Sequence, residues 1–240
     1  MRSALFSAEN LEKESAQPGL RLQNSKMLKI ELNGEAMARV GSMVAYQGQV
    51  QFQALGSGGI GKFLKQKLTG EGVPLMKVTG RGDVFLADLA SDVHLIDLEP
   101  GDALSINGSS VLAFDSTLQY DIKMVGGAGM MSSSGLFNCV FTGHGRIAVT
   151  TKGTPVVLNV DQPTYVDPQA AVCWSANLQT GYHRAEQLGL GTLLGRRTGE
   201  AFTMSFAGQG FVVVQPSEEP PVAGSGQQEQ QGGLLGGLMK

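Results

Sequence analysis

Cysteine is nearly absent from this sequence. Cys139 and Cys173 are the only two, each inside an apolar run, FNCVF and AVCWS. Two cysteines cannot make the multi-bridge framework of a small secreted domain. Their setting predicts buried free thiols, which suits a reducing compartment. Basic clusters are missing too: 18 Lys and Arg against 21 Asp and Glu give a net charge of −3, spread along the chain. That excludes the electrostatic footprint of a nucleic-acid binder. No stretch approaches the roughly 18 consecutive apolar residues of a spanning helix. The opening MRSALFSAENLEKES has no apolar secretory core, so a soluble, cytoplasmic protein is expected. Histidine occurs only at His94, His144 and His183, never as His-x-His. Metal sites on β folds need ligands clustered on neighbouring strands, so neither a metal nor a cofactor is expected. Helical patterns are thin: GKFLKQKL (61–68) makes two turns at most, and AEQLGLGTLL (185–194) is broken by glycines.

Glycine, by contrast, is abundant: 34 residues, about twice the ordinary share, with no collagen period. So much glycine in a globular chain points to many tight turns and an all-β protein. Period-two alternation supports this. Leu118, Tyr120, Ile122 and Met124 alternate with polar residues, as do Val50 and Phe52 among glutamines, and Phe202, Met204 and Phe206. These are strands with one buried and one wet face. Asn33-Gly34, Glu99 to Asp102, Asn107-Gly108, Lys152-Gly153 and Asp167-Pro168 read as turns between them.

Three elements recur in the same order. VTGRGDVFLA (78–87), FTGHGRIAVT (141–150) and FAGQGFVVVQ (206–215) share an apolar residue, a small residue, Gly-x-Gly and an apolar run. ARVGSMVAYQGQV (38–50), INGSSVLAFDSTL (106–118) and VDPQAAVCWSANL (166–178) align without gaps, placing Tyr46, Phe114 and Trp174 at one position. Glycine-rich connectors at 56–72, 126–135 and 188–200 precede each Gly-x-Gly. Internal repetition of this kind signals duplicated structural units. One unit of roughly 60–65 residues buries too little surface to stand alone. Three β-sandwich modules around a pseudo-threefold axis are therefore expected: a lead-in or extra edge strand (1–26), modules at 27–98, 99–160 and 161–216, and a tail (217–240). The tail turns proline-, glycine- and glutamine-rich and ends in the apolar GGLLGGLMK. Such a composition predicts disorder, with a tip that could dock on a partner.

Motifs that would carry chemistry fail on their context. GSGGIGK (56–62) matches a phosphate loop up to Lys62, but Phe63 stands where a Ser or Thr would hold magnesium. His144 lies between Gly143 and Gly145, but the same slot holds Arg81 and Gln209 in the other copies. The glycines are then the constant feature, and a hairpin tip with a solvent-facing middle residue is expected. No nucleophile elbow occurs. Arg81-Gly82-Asp83 spells an adhesion tripeptide by coincidence. Tyr46, Phe114 and Trp174 are expected to pack in the core. No catalytic, cofactor-binding or metal-ligating residue is therefore assigned.

The stretches VLAFDSTLQYDI, TGRGDVFLA, TGHGRIAVT and GEAFTMSFAGQGFVVVQP resemble the altered inheritance of mitochondria protein 24 family over about residues 27–216. The resemblance implies a threefold duplication of a module similar in fold to the tryptophan RNA-binding attenuation protein. It does not imply RNA binding, because a shared fold carries no activity. Fungal members are linked by name to mitochondrial organisation, but Glu9, Glu12 and Glu14 break the pattern of a mitochondrial presequence, so a bacterial member is expected. The family supplies no catalytic residues. The expected function is a non-enzymatic binding or scaffold protein acting on a protein partner or membrane-associated assembly. The alternative is a small-molecule binder or enzyme with a pocket in or between modules.

Overall fold

The computed structural model describes residues 3–13, 17–55, 74–124, 137–184 and 202–217. These form sixteen β-strands and three short 3-10 turns, with no α-helix among them. The expected all-β class holds, and every strand pairing is antiparallel.

The first sheet is built from β1 (Gly19–Asn24), β2 (Met27–Arg39), β3 (Met43–Ala54), β4 (Leu75–Leu86), β5 (Asp92–Leu98), β7 (Val111–Asp115) and β10 (Gly145–Thr151), in the order β3-β4-β2-β7-β10-β5 with β1 also on β2. The second holds β6 (Ala103–Asn107), β8 (Gln119–Met124), β9 (Phe137–Thr142), β11 (Val156–Val160), β13 (Ala171–Ser175) and β16 (Gly210–Val214), in the order β11-β16-β13-β6-β9-β8. The third is β12 (Thr164–Val166), β15 (Phe202–Ala207) and β14 (Gln179–Arg184). The lead-in thus supplies a strand, β1. Asn33-Gly34 is not a turn. It lies inside the continuous β2, where Gly34 takes φ +126° and kinks the strand instead of reversing it.

The Gly-x-Gly stretches are not hairpin tips, which corrects the expectation. β9 pairs with β6 and β8, and β10 with β5 and β7, so the strands flanking Gly143-His144-Gly145 lie in different sheets. Gly208-Gln209-Gly210 likewise links β15 in the third sheet to β16 in the second. Gly80-Arg81-Gly82 lies inside the unbroken β4. The stretches are corners or creases where a two-stranded ribbon changes direction, as at sandwich edges where strands switch sheets. The physical cause is steric. Gly80 and Gly82 have φ of +123° and +151°, and a Cβ at either would sit 2.0 Å from a carbonyl oxygen of β3. No side chain fits between backbones that close.

Apolar side chains gather in three clusters. One lies among strands of the first sheet, around Leu28, Ile30, Val78, Val84 and Leu112. The second joins the first and second sheets through Phe114, Phe141, Ile106 and Ile147. The third joins the second and third around Trp174, Phe206 and Met204. Phe114 meets Phe141 edge-on at 4.9 Å and Trp174 meets Phe206 at 5.5 Å, a geometry that suits the ring quadrupoles. Tyr46 departs from its expected place in the core: it is 50% exposed on β3, at the rim of the first sheet. Among the described residues no strand covers it there, and Phe52 packs against it edge-on at 5.4 Å.

Candidate functional site

The second corner carries the most polar chemistry. Asp115 ends β7, and its Oδ2 accepts the backbone N–H of Arg146 at 2.8 Å. Thr117 Oγ1 donates to the carbonyl of His144 at 2.9 Å. Asp115 at the end of β7 and Thr117 in the turn that follows therefore hold the His144 corner by its backbone. A Cβ on Gly145 would press Thr117 Oγ1 at 2.9 Å and Leu118 Cγ at 3.1 Å. The corner borders a cleft of about 700 Å³ together with Gln17 to Arg21, the end of β5 and Asp115.

Arg146 organises this cleft. Its Nε and Nη2 form a fork with Asp97, at 2.6 and 3.0 Å, and its Nη1 donates to the Leu20 carbonyl at 3.0 Å. The hydrogen bond from Arg146 holds the Asp97 carboxyl below the usual range, against a smaller opposing effect of burial. The same bond raises the Arg146 guanidinium. Both side chains are well exposed, so solvent screens the pair. His144 Nδ1 lies 3.8 Å from Glu99 Oε2, with both groups about 70% exposed. Arg21 Nε is 3.3 Å from Glu31. The cleft's guanidiniums are engaged with carboxylates, and among the described residues no serine, cysteine or lysine lines it. Such a constellation ties Leu20 of β1 to the corner through Arg146.

The three histidines are not brought together. His94 lies on β5 opposite Val149, with Nε2 2.9 Å from Thr151 Oγ1. His144 is at the corner beyond the other end of the β5–β10 ladder. His183 is on β14 in the third sheet. Among the described residues no group of three or more His, Cys, Asp or Glu is placed to hold a metal. Cys139 and Cys173 are free and buried, and burial pushes both thiols up to about 12. They pair with Ile106 from opposite sides of β6, so their Cα atoms stand about 10 Å apart, two strand spacings. A disulfide spans no more than about 7 Å. The Arg81-Gly82-Asp83 tripeptide is inside β4, with Arg81 Nε 3.3 Å from Asn33 Oδ1. The phosphate-loop-like stretch (56–62), the two weak helical patterns (61–68 and 185–194), the three glycine-rich connectors (56–72, 126–135 and 188–200) and the tail beyond Ser217 lie outside the described residues.

One charged cluster escaped the sequence reading. Lys29 is 3% exposed, with Nζ 2.7 Å from Glu12 and 3.5 Å from both Glu31 and Asp83. Burial alone would lower its pKa; the Glu12 hydrogen bond and the fields of Asp83, Glu12 and Glu31 outweigh it and hold the ammonium above its ordinary value. Nζ also donates to the Lys13 carbonyl at 3.0 Å, and Gln23 bonds to Leu11 and Lys13. The cluster straps residues 11–13 onto the first sheet. The alternation in MLKIEL puts Lys29 and Glu31 on one strand face, the only hint of it in the sequence.

The family described as Mitochondrial biogenesis AIM24 matches residues 20–217, a span that adds β1 to the stretch found by resemblance. The crystal structure of a Streptococcus pyogenes protein is similar to this chain, with 21% identity and a TM-score of 0.63, covering 83% of this chain and 92% of that one. At that identity the likeness concerns the fold alone. No curated protein matches the chain.

Proposed function

The chain belongs to the Mitochondrial biogenesis AIM24 family, and from that premise we propose that it is a non-enzymatic binding or scaffold protein of the cytoplasm, recruiting protein partners along the edges of its sheets. One observation carries the reading. Apolar side chains stand exposed on edge strands: Val44 and Tyr46 on β3, and Val156 and Val157 on β11 at 57% and 62%. Clustered exposed apolar groups mark interaction surfaces, and an edge strand offers a backbone ladder to an added strand. Among the described residues no helix is long and apolar enough to cross a membrane.

The scaffold is proposed to be three units, 27–98, 99–160 and 161–216, of a kind similar to the tryptophan RNA-binding attenuation protein module. Coincident registers support this. Tyr46, Phe114 and Trp174 pair with Val84, Ile147 and Val212, each four residues after the first glycine of its Gly-x-Gly. Affinity capture from the native host, with the full chain and with Val156→Asp/Val157→Asp, tests the reading. Partners of the native chain should be lost from the variant; identical partner sets for the two would overturn the edge as the recruiting surface. Removing 217–240 in a second arm separates any part played by the tail.

A second reading, a small-molecule binder or enzyme, is favoured by the cleft beside Arg146. It predicts that small anions raise the Tm of the native chain and not of Arg146→Ala.

A further inference from the structure

The registers hold a pattern that the chain itself leaves incomplete. In each proposed unit a strand precedes the ribbon that carries the aromatic: β2, β6 and β12. On one side each pairs within its own unit, and the matches are equivalent: Met37 with Lys77, Ser105 with Val140, Tyr165 with Ser205. Each partner lies three residues before its Gly-x-Gly. On the other side, β2 pairs with β7 of the next unit, Met37 opposite Phe114. β6 pairs with β13 of the next unit, Trp174 opposite Ser105. The two junctions therefore have the same register.

A third junction in this series would set β12 against β3, with Tyr165 opposite Tyr46. Among the described residues β12 ends the third sheet and β3 ends the first. At the two formed junctions all four opposed side chains, Met37, Phe114, Ser105 and Trp174, are buried. At the third, Tyr46 is 50% and Tyr165 59% exposed. Phe114 and Trp174 each stand opposite a strand of the preceding unit; Tyr46 has no preceding unit in its own chain.

We infer that copies of this chain join head to tail, β12 of one copy pairing antiparallel with β3 of the next, with Tyr165 beside Tyr46, Thr164 beside Gln47 and Val166 beside Ala45. The inference rests on the three-unit reading above and names one partner of the scaffold: a second copy of itself. The occupant is a second copy because the missing neighbour of β3 is the strand this same chain displays at its far end. Directly opposed aromatic pairs stabilise antiparallel strands. The contact is heterologous, using two different surfaces, so it propagates into a ring or a filament instead of stopping at a symmetric dimer. One feature of the formed junctions is not reproduced. Arg39 donates to the Ser109 carbonyl at 2.6 Å and Asn107 to the Pro168 and Ala171 carbonyls, but the third position holds Asp167, which cannot donate when ionised. The third junction depends on the strand ladder and the tyrosines.

Sedimentation velocity on the purified full chain tests this. The native protein should sediment as assemblies of several copies of the 25.2 kDa chain. Tyr46→Asp and Tyr165→Asp should each give monomers, with circular dichroism recorded on each to show that the strand content of the single chain is kept. An equimolar mixture of the two variants should give a heterodimer, since one intact β12 and one intact β3 remain to meet. Native chains that stay monomeric, single variants that still assemble, or a mixture that stays monomeric would each overturn the inference. A monomeric native chain would leave the scaffold reading standing, because that is read by capture of other proteins.

Discussion

The β3/β4 ribbon and the ribbon made by β7–β8 with β9–β10 share one sequence pattern and differ in outcome. Each has an aromatic, then the partner strand's Gly-x-Gly, with the aromatic opposite the residue four places after the first glycine. In the first, both strands run unbroken for twelve residues within one sheet. In the second, the ribbon breaks at Ser116–Leu118 and Gly143-His144 and enters another sheet. The bend lets Tyr120 and Phe141 close over Phe114. Without a bend out of the sheet, Tyr46 stays at the rim. The glycines permit a change of direction, and what packs around the ribbon decides how it is used.

Burial gives the widest contrast. Phe114→Ala should cost about 4 kcal/mol, the transfer and cavity cost of a fully enclosed ring. Tyr46→Ala should cost under about 1 kcal/mol, measured by urea unfolding in the Tyr165→Asp background, where chains stay apart. Equal costs would break the comparison. The glycines come next. Gly80→Ala drives a Cβ to 2.0 Å from the Gln49 carbonyl and should cost about 3 kcal/mol or more. At Gly143 nothing lies closer than 3.7 Å, so Gly143→Ala should cost only the strain of its φ of +104°, about 1 kcal/mol.

Charge separates the regions further. Lys29→Met leaves three carboxylates without their buried cation and should cost about 2 kcal/mol, reduced from a fully buried pair by the partial exposure of the acids. Its folded pKa is raised, so its contribution is complete below the ordinary lysine value of 10.5 and is lost as pH rises above that. Asp97→Asn, in the exposed Arg146 fork, should cost under about 1 kcal/mol. The Asp97 pKa is lowered, so this small contribution is present above the ordinary carboxylate value and disappears as pH falls below it. Urea midpoints from acid to alkaline pH should show the alkaline loss vanish in Lys29→Met and the acid change shrink in Asp97→Asn. The smallest effect is His144→Gln, which copies Gln209 and should shift stability by less than about 0.5 kcal/mol. The corner grips the backbone of residue 144, through Thr117, so the side chain is replaceable.

The strands were legible because alternation is a local signal. Leu118 to Met124, Val50 to Phe52 and Phe202 to Phe206 all fall in or beside β8, β3 and β15. The corners were not. A glycine at positive φ looks the same in a hairpin, a crease or a sheet-to-sheet corner, and only the identity of the paired strands tells them apart. The cleft was half legible: His144 drew notice from its glycines, while Arg146 and Asp97, 49 residues apart, met only through the β5–β10 ladder. Lys29 was hidden because its partners Glu12 and Asp83 come from a strap and a strand far along the chain.

By itself the sequence determined an all-β chain, the three Gly-x-Gly stretches, and the family. Period-two burial, the steric latitude of glycine and recurrence along the chain are properties of the residues in order. The tertiary structure alone decided which aromatic is covered, which glycine pair turns a corner, and which strands end each sheet. Those depend on what packs against a surface. Tyr46 and Phe114 occupy the same slot, and the difference between them is the neighbour.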